Sequence, residues 1–599
     1  MSAAFRSLVD LLRFRAGVEP HARAYTFLVN GETEGASLTY GELDERARAT
    51  AAMLQESGVA PGDRALLLYP PGLDFMSAFF GSLYAGAVAV PAYPPNPPHP
   101  SRGLPRLLAV LGEAGVRVVL STEAVAAGLP ALAPHAPELA ALPWLATDRL
   151  AAGAADSWRD PGIGPRALAF LQFTSGSTAS PRGVMVGHGN LLHNLAYANH
   201  LAENDATSVS LSWLPVIHDM GLIEGVLQPL YAGFPAYLMA PNSFLQRPLR
   251  WLQAISRYRV TNSGGPNFAY DLCVRKVAPE QRAALDLSSW RMAFNGAEPI
   301  RRDTLRAFHD AFRGCGFRWS AFYPVYGLAE ATLLVSSGGR DYEPVIAELD
   351  AGELARGVVA HQNGGRTAAL VASGRLGFGT RVEIVDPATR TRAAPGRIGE
   401  IWIASPSVAH GYWERPEETE RTFRAYLADT GEGPFLRTGD LGFLADGELF
   451  IAGRLKDVLI VRGAKHFPQD IELDVERRHP AIRPGCSAAF SCDDGEAERV
   501  VVAAEVDPRA LRRAAPAALV EEVVLAVREG VAAEHGIQLH AVALLGLGGV
   551  PRTSSGKVRR TACRAAFLAG TLDEVARWSV KDGFLFRTAG RETTARAAG

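Results

Sequence analysis

Hydroxyls and glycines crowd one stretch of this chain, Leu171–Asn190, LQFTSGSTASPRGVMVGHGN. Thr174, Ser175, Ser177 and Thr178 supply hydroxyls, Gly176 supplies backbone freedom and Arg182 supplies a cation. Glycine lets a backbone approach a ligand closely, and its N–H groups and the neighbouring hydroxyls can then point at phosphate oxygens. The spacing does not fit the Walker A pattern G-x-x-x-x-G-K-[ST]. A plain polar turn between two strands would use the same residues. A second chemical pair is His218-Asp219, set in the apolar run Val216–Ile223. It fits either a satisfied buried histidine or a histidine facing a ligand at a pocket mouth. Two further loops follow apolar runs: Asn295-Gly296-Ala297-Glu298 and Tyr326-Gly327-Leu328-Ala329-Glu330. A tyrosine ring can stack on a purine, and a carboxylate can hold a hydroxyl or Mg²⁺. Taken singly, each acid could equally be a solvated turn residue.

The elements that must carry these loops alternate. Apolar runs at 63–69, 87–90 and 116–121 are separated by helical patterns at 73–85 and 104–114. Strand–helix–strand alternation predicts an α/β fold with parallel sheets flanked by helices, in which ligands collect beyond strand ends. Ahead of it, 24–29 and 35–40 read as a hairpin, and Thr39-Tyr40 opens a helix over 41–57. The segment Pro91–Pro100, with six prolines, reads as a stiff surface connector. The chain of 599 residues is too long for one core. A net charge of −2 gives no argument for nucleic acid or an anionic membrane surface. The five cysteines form no C-x-x-C pair, and no apolar run reaches a membrane-spanning length. With no signal-peptide core in MSAAFRSLVDLLRFRAG, a cytoplasmic enzyme is expected.

Read in order, six motifs resemble the adenylate-forming superfamily across about residues 25–565. They are Thr174–Thr178 with Pro181-Arg182-Gly183, Asn295–Glu298, Tyr326–Glu330, Thr438-Gly439-Asp440, Gly453-Arg454-Leu455-Lys456-Asp457, and Pro551–Lys557. Arg182 stands where many relatives carry lysine, and Ala179 where they carry glycine. Within the superfamily the chain is similar to the fatty acyl-AMP ligase branch. The resemblance lies in Ala87–Pro91, Trp213-Leu214-Pro215 with His218–Leu222, Ser263–Cys273, and Val461-Arg462-Gly463 with Pro468–Glu472.

The resemblance implies a large N-terminal adenylation domain, 1–455, a branch-specific insertion over 345–368, and a small mobile α+β domain, 456–585. A loose tail, 586–599, follows. It implies ATP and Mg²⁺, a fatty acid, and acyl transfer to a separate acyl carrier protein in lipid, polyketide or lipopeptide biosynthesis. Lys557, Glu330 and His218 are expected at the reaction centre, with Glu330 on the metal. ATP and AMP are expected at Thr174, Ser175, Gly176, Ser177, Thr178, Arg182, Asn295, Gly296, Ala297, Glu298, Tyr326, Gly327, Asp440 and Arg454. Lys456 is the expected hinge, and His218, Asp219, Met220, Gly264 and Phe268 the expected acyl pocket. A long-chain acyl-CoA synthetase is the nearest rival, ahead of an amino-acid adenylation enzyme and a non-catalytic binding protein.

Overall fold

A computed structural model describes residues 5–95, 103–174, 181–362, 364, 366–461, 464–493, 498–513, 516–553, 556–588 and 591–595. Ser175, Gly176, Ser177 and Thr178 therefore lie outside the described residues, as do Arg462-Gly463 and Ser554-Ser555. Strands Arg23–Val29 and Thr33–Thr39 pair antiparallel. The helix Tyr40–Glu56 starts where a capping box dictates: Glu42 N–H donates to Thr39 Oγ1 at 3.2 Å and Thr39 N–H to Glu42 Oε2 at 2.8 Å.

The expected parallel sheet is present. Strands run in the order Trp144–Ala146, Val118–Ser121, Arg64–Leu68, Val88–Ala92, Leu168–Thr174 and Arg182–Gly187, all parallel except the last pair. Both faces are apolar and covered, which is why these strands read as continuous hydrophobic runs. A second, larger sheet places Asn262–Gly265, Met292–Asn295 and Phe322–Gly327 side by side in parallel. It continues through antiparallel strands that include Leu436–Ala445 and Glu448–Arg454. The loops 266–268, 296–299 and 328–330 thus emerge from one edge of one sheet. Among the described residues no helix is long and apolar enough to cross a membrane.

The smaller C-terminal unit has its own sheet. Helices Pro468–Arg478 and Pro516–His535 cover one face and Arg560–Leu568 the other. Two expectations need correction. Residues 586–588 and 591–595 are not a loose tail: Gly583–Thr588 pairs antiparallel with Glu574–Ser579 and Arg591–Ala595 antiparallel with Gly583–Thr588, because backbone pairing needs no apolar pattern at a sheet edge. The proline segment does not begin as a connector either. Pro91 and Ala92 finish the buried strand, and Tyr93 turns into the cavity described below.

Candidate active site

One cavity of about 1540 Å³ takes its walls from the large sheet's edge and from the C-terminal unit. Its first end is built on strand register. Asp440 and Arg454 are direct antiparallel partners, so their side chains meet, with Arg454 Nε 3.2 Å from Asp440 Oδ1. Tyr326, at the end of Phe322–Gly327, donates its phenol to Asp440 Oδ2 at 2.8 Å. Asp440 N–H donates to Thr438 Oγ1 at 3.0 Å, across Gly439 at φ +71°. The buried Asp440 carboxylate is the first cause raising the Arg454 guanidinium, and burial with Asp440 drives the Tyr326 phenol far up. Both donors keep their protons at any working pH.

Glu330 follows one turn later. Its Oε1 accepts from the Tyr412 phenol at 2.7 Å, leaving Oε2 for a ligand. Arg182 is not free to act as a bare cation on the cavity. Its guanidinium carbon lies 5.3 Å from the Tyr412 ring centre and its Nε 3.0 Å from Glu418. Among the described residues no cluster of three His, Cys, Asp or Glu could hold a metal by itself.

The loop 295–298 splits between wall and support. Ala297 and Glu298 line the cavity. Ala297 takes φ +67°, a costly conformation for alanine that marks a tightly determined turn. Glu298 Oε1 accepts the Phe268 N–H at 2.6 Å, and burial raises its carboxyl. Asn295 and Gly296 lie behind this wall. Asn295 is fully buried, and a Cβ at Gly296 would come within 2.5 Å of the Val325 side chain. Gly264 is likewise no part of the acyl wall, since its missing Cβ makes room for Phe294 of the next strand, whose carbonyl would be 2.1 Å away. These three residues let strands approach; they do not touch the cavity.

At the other end stand His218, Asp219, Met220 and Phe268, as expected. Phe268 packs edge-on to Trp213, which stacks on Phe244 at 4.1 Å. His218 lies edge-on to Tyr93 and is pushed down to about 4 by burial, aided by Arg106 and Lys557. It is therefore a neutral imidazole at neutral pH. Burial raises the Asp219 carboxyl against the pull of Lys557.

Lys557 joins the two ends. It comes from a tight loop in which Thr553 N–H donates to the Lys557 carbonyl at 2.8 Å and Lys557 N–H to Thr553 Oγ1 at 3.0 Å. Burial lowers the pKa of its ammonium. Arg454 repels it, and Asp219, Glu298 and Asp440 attract it. A residue more than 100 positions beyond Asp440 thus shares that carboxylate with the nucleotide-side arginine. Lys456, between the units, is partly buried, and burial with Arg454 lowers its pKa.

Sequence reasoning missed Tyr93, Arg106, Glu224 and Tyr412 on this wall. Tyr93 was within reach, since it follows the end of a parallel strand. Nothing in sequence places Tyr412 beside Glu330.

Residues 12–413 match the family model described as AMP-binding enzyme, and 456–577 match the AMP domain of Disco-interacting protein 2-like proteins. The chain is 48% identical over 575 residues to the medium-chain-fatty-acid–[acyl-carrier-protein] ligase JamA of Moorena producens, covering 95% of this chain and 96% of JamA. It is 36% identical over 607 residues to the long-chain-fatty-acid–AMP ligase FadD32 of Mycolicibacterium smegmatis, covering 94% and 95%. The crystal structure of a fatty acyl-adenylate ligase from L. pneumophila, in complex with acyl adenylate and pyrophosphate, matches 96% of this chain and 98% of that one. The TM-score is 0.74 and the identity 39%. On these matches the chain belongs to the AMP-binding enzymes, in their fatty acyl-AMP ligase branch.

Proposed function

We propose that the chain activates a fatty acid with ATP to give an acyl-adenylate and pyrophosphate, and then passes the acyl group to the phosphopantetheine thiol of a separate acyl carrier protein. The observation that carries this reading is Lys557, delivered by the C-terminal unit to the cavity that holds Asp440, Glu298 and Asp219. The printed names of JamA and FadD32 support the substrate class.

In the first step a carboxylate oxygen attacks the α-phosphorus and pyrophosphate leaves. Positioning and charge stabilisation dominate such a step. Asp440 accepts from the ribose hydroxyls, because a carboxylate has about four lone-pair sites and Tyr326 and Arg454 take two. The Tyr326 ring and the Gly327 and Ala297 backbone border the base, with Glu298 behind. Thr174 and the hydroxyls of Ser175, Ser177 and Thr178, with Gly176, are assigned to the phosphates, and so is Arg182, which pairs with Glu418. Lys557 meets the charge that grows between carboxylate and α-phosphate. His218 and Asp219 border the reacting carboxylate, with Met220 and Phe268 along the chain. Glu330 fits Mg²⁺ as a single carboxylate oxygen beside the phosphates, and the ion would neutralise phosphate charge there.

For the second step the unit from Lys456 onward turns about that residue, so that the carrier's thiol reaches the adenylate. The segment 345–368 is read as the branch's insertion. In support, Arg366 within it reaches Glu534 of the C-terminal unit at 3.8 Å. Five free, buried cysteines support a reducing, cytoplasmic setting. The deciding experiment measures fatty-acid-dependent ATP–pyrophosphate exchange, then offers CoA or a holo carrier protein as acceptor. Transfer to the carrier is expected, and fast acyl-CoA formation would replace this reading with an acyl-CoA synthetase.

A further inference from the structure

The helix that follows Asp219 carries an unexplained acid. Met220–Leu227 is wound one residue per turn wider than an α-helix, with Gln228 N–H donating to the carbonyl of Ile223, five residues back. Its glycines set its orientation. A Cβ at Gly221 would stand 2.1 Å from the Pro215 carbonyl, and one at Gly225 2.7 Å from Ser212 Oγ. The helix therefore lies hard against that strand on its glycine side. Met220, Glu224 and Gln228, at four-residue spacing, all line the cavity.

Glu224 has no hydrogen bond and no ion pair among the described residues. Unlike Asp219, it feels neither Lys557 nor any other cation. Its carboxyl is pushed up to about 7 by burial alone, so a substantial fraction keeps its proton near neutral pH. Gln228, one turn further and 1% exposed, has an Oε1 with no partner; its Nε2 donates to Asn199 Oδ1 at 3.5 Å. The Tyr323 phenol, raised in part by Glu224, lines the same wall. Ala198, Ala202, Leu334 and Val371 add apolar surface to the cavity. Tyr323 is already partnered, accepting from Ser337 Oγ at 2.9 Å, so two groups here lack a partner among the described residues, the Glu224 carboxyl and Gln228 Oε1, and an unsatisfied buried polar group is costly.

We propose that this wall receives a hydroxyl carried on the distal part of the acyl chain, with the Glu224 carboxyl donating to the hydroxyl oxygen and Gln228 Oε1 as acceptor of its hydrogen. A hydroxyl both donates and accepts, as this pair requires. An ammonium cannot accept from a protonated carboxyl, and its desolvation against this apolar surface would cost far more. The substrate class is then a hydroxylated fatty acid rather than a plain one. This inference rests on the fatty-acid reading above and adds a specificity determinant to it.

The test is ATP–pyrophosphate exchange by the full-length enzyme with matched plain and ω- or (ω−1)-hydroxylated acids over a series of chain lengths. The wild type should favour the hydroxylated member at its best length by at least about ten-fold in kcat/KM, the scale of one well-placed hydrogen bond to a buried group. Glu224→Leu should reverse the preference and raise use of the plain chain. Glu224→Gln, which keeps a donor and an acceptor, should keep most of it. A wild type that prefers the plain acid at every length overturns the proposal, as does a ratio that Glu224→Leu and Glu224→Gln both leave unmoved; a water molecule would then be what satisfies Glu224. Exchange with no fatty acid of either kind would overturn the fatty-acid reading itself.

Discussion

The two ends of the cavity handle buried charge in opposite ways. On the nucleotide side Asp440 is ringed by donors: Tyr326 and Arg454 on its two oxygens and its own N–H tied to Thr438. On the acyl side Asp219, Glu224 and His218 are moved toward their neutral forms, chiefly by burial. Paired charge suits a ligand that is itself charged and always the same. Neutralised polar groups suit a ligand that is mostly hydrocarbon, because an unpaired ion there would have to be desolvated without recompense. Lys557 lies at the junction and feels acids from both sides.

The junction gives the largest expected effect. Lys557→Ala should lower fatty-acid-dependent pyrophosphate exchange by at least ~100-fold, the scale for removing one donor aimed at developing charge. The variant should still bind ATP, since Asp440 and Tyr326 are untouched. Near-normal exchange would mean that the two ends do not meet at this lysine. On the nucleotide side alone, Asp440→Asn leaves Arg454 without its anion. A charged hydrogen bond contributes about 1.5–3 kcal/mol, so kcat/KM for ATP should fall roughly 10- to 100-fold, mostly through KM. A fall in kcat with KM unchanged would place Asp440 in the chemistry and not in nucleotide binding.

How far these ends could be read from sequence differs too. The nucleotide side was legible because each strand end carries its chemistry on a short motif, and because strand register then brings Asp440 and Arg454 together. Thr39-Tyr40 likewise announced the helix Tyr40–Glu56. The acyl side was legible only where residues adjoin in sequence, as His218, Asp219 and Met220 do. Glu224 was hidden inside GLIEGVL, an apolar run whose widened winding no 3.6-residue periodicity reveals. Tyr93, inside the proline segment, and Arg106, beyond it, meet His218 only in three dimensions. Gly264, Asn295 and Gly296 misled for the opposite reason. They belong to motifs at the site but act by close packing behind it. Residues 591–595, RETTA, carry no apolar alternation, so their pairing at the sheet edge left no sequence signal.

Neutrality by burial has a pH signature of its own. Glu224 titrates near 7 in the folded protein against an ordinary 4.5. As pH rises between these values, the unfolded chain releases its proton first, so the wild type progressively loses stability. The penalty is absent below about 4.5 and complete above about 7. At 1.36 kcal/mol per unit it reaches roughly 3 kcal/mol. Glu224→Leu removes it. The difference in Tm between that variant and the wild type should therefore grow in the variant's favour from about pH 5 to about pH 8, by a few degrees. A difference that stays flat across this range would mean that Glu224 is ionised and partnered, and the contrast between the two ends would fail.

The smallest effect concerns a residue that only positions. Tyr412 donates to Glu330 Oε1 at 2.7 Å and carries Arg182 over its ring. Tyr412→Phe keeps the ring, and with it the seat of Arg182, but removes the one hydrogen bond that the Glu330 carboxylate makes among the described residues. If Glu330 serves Mg²⁺ beside the phosphates, a less fixed carboxylate binds the ion more weakly while the chemical step keeps all its other donors. One hydrogen bond of about 1–1.5 kcal/mol corresponds to roughly a 5- to 12-fold rise in the Mg²⁺ concentration needed for half-maximal exchange. At saturating Mg²⁺ kcat should approach that of the wild type. A kcat deficit that no Mg²⁺ concentration repairs would show that Tyr412 acts on the reacting atoms themselves, and the nucleotide side would then hold a catalytic phenol in addition to its paired acids.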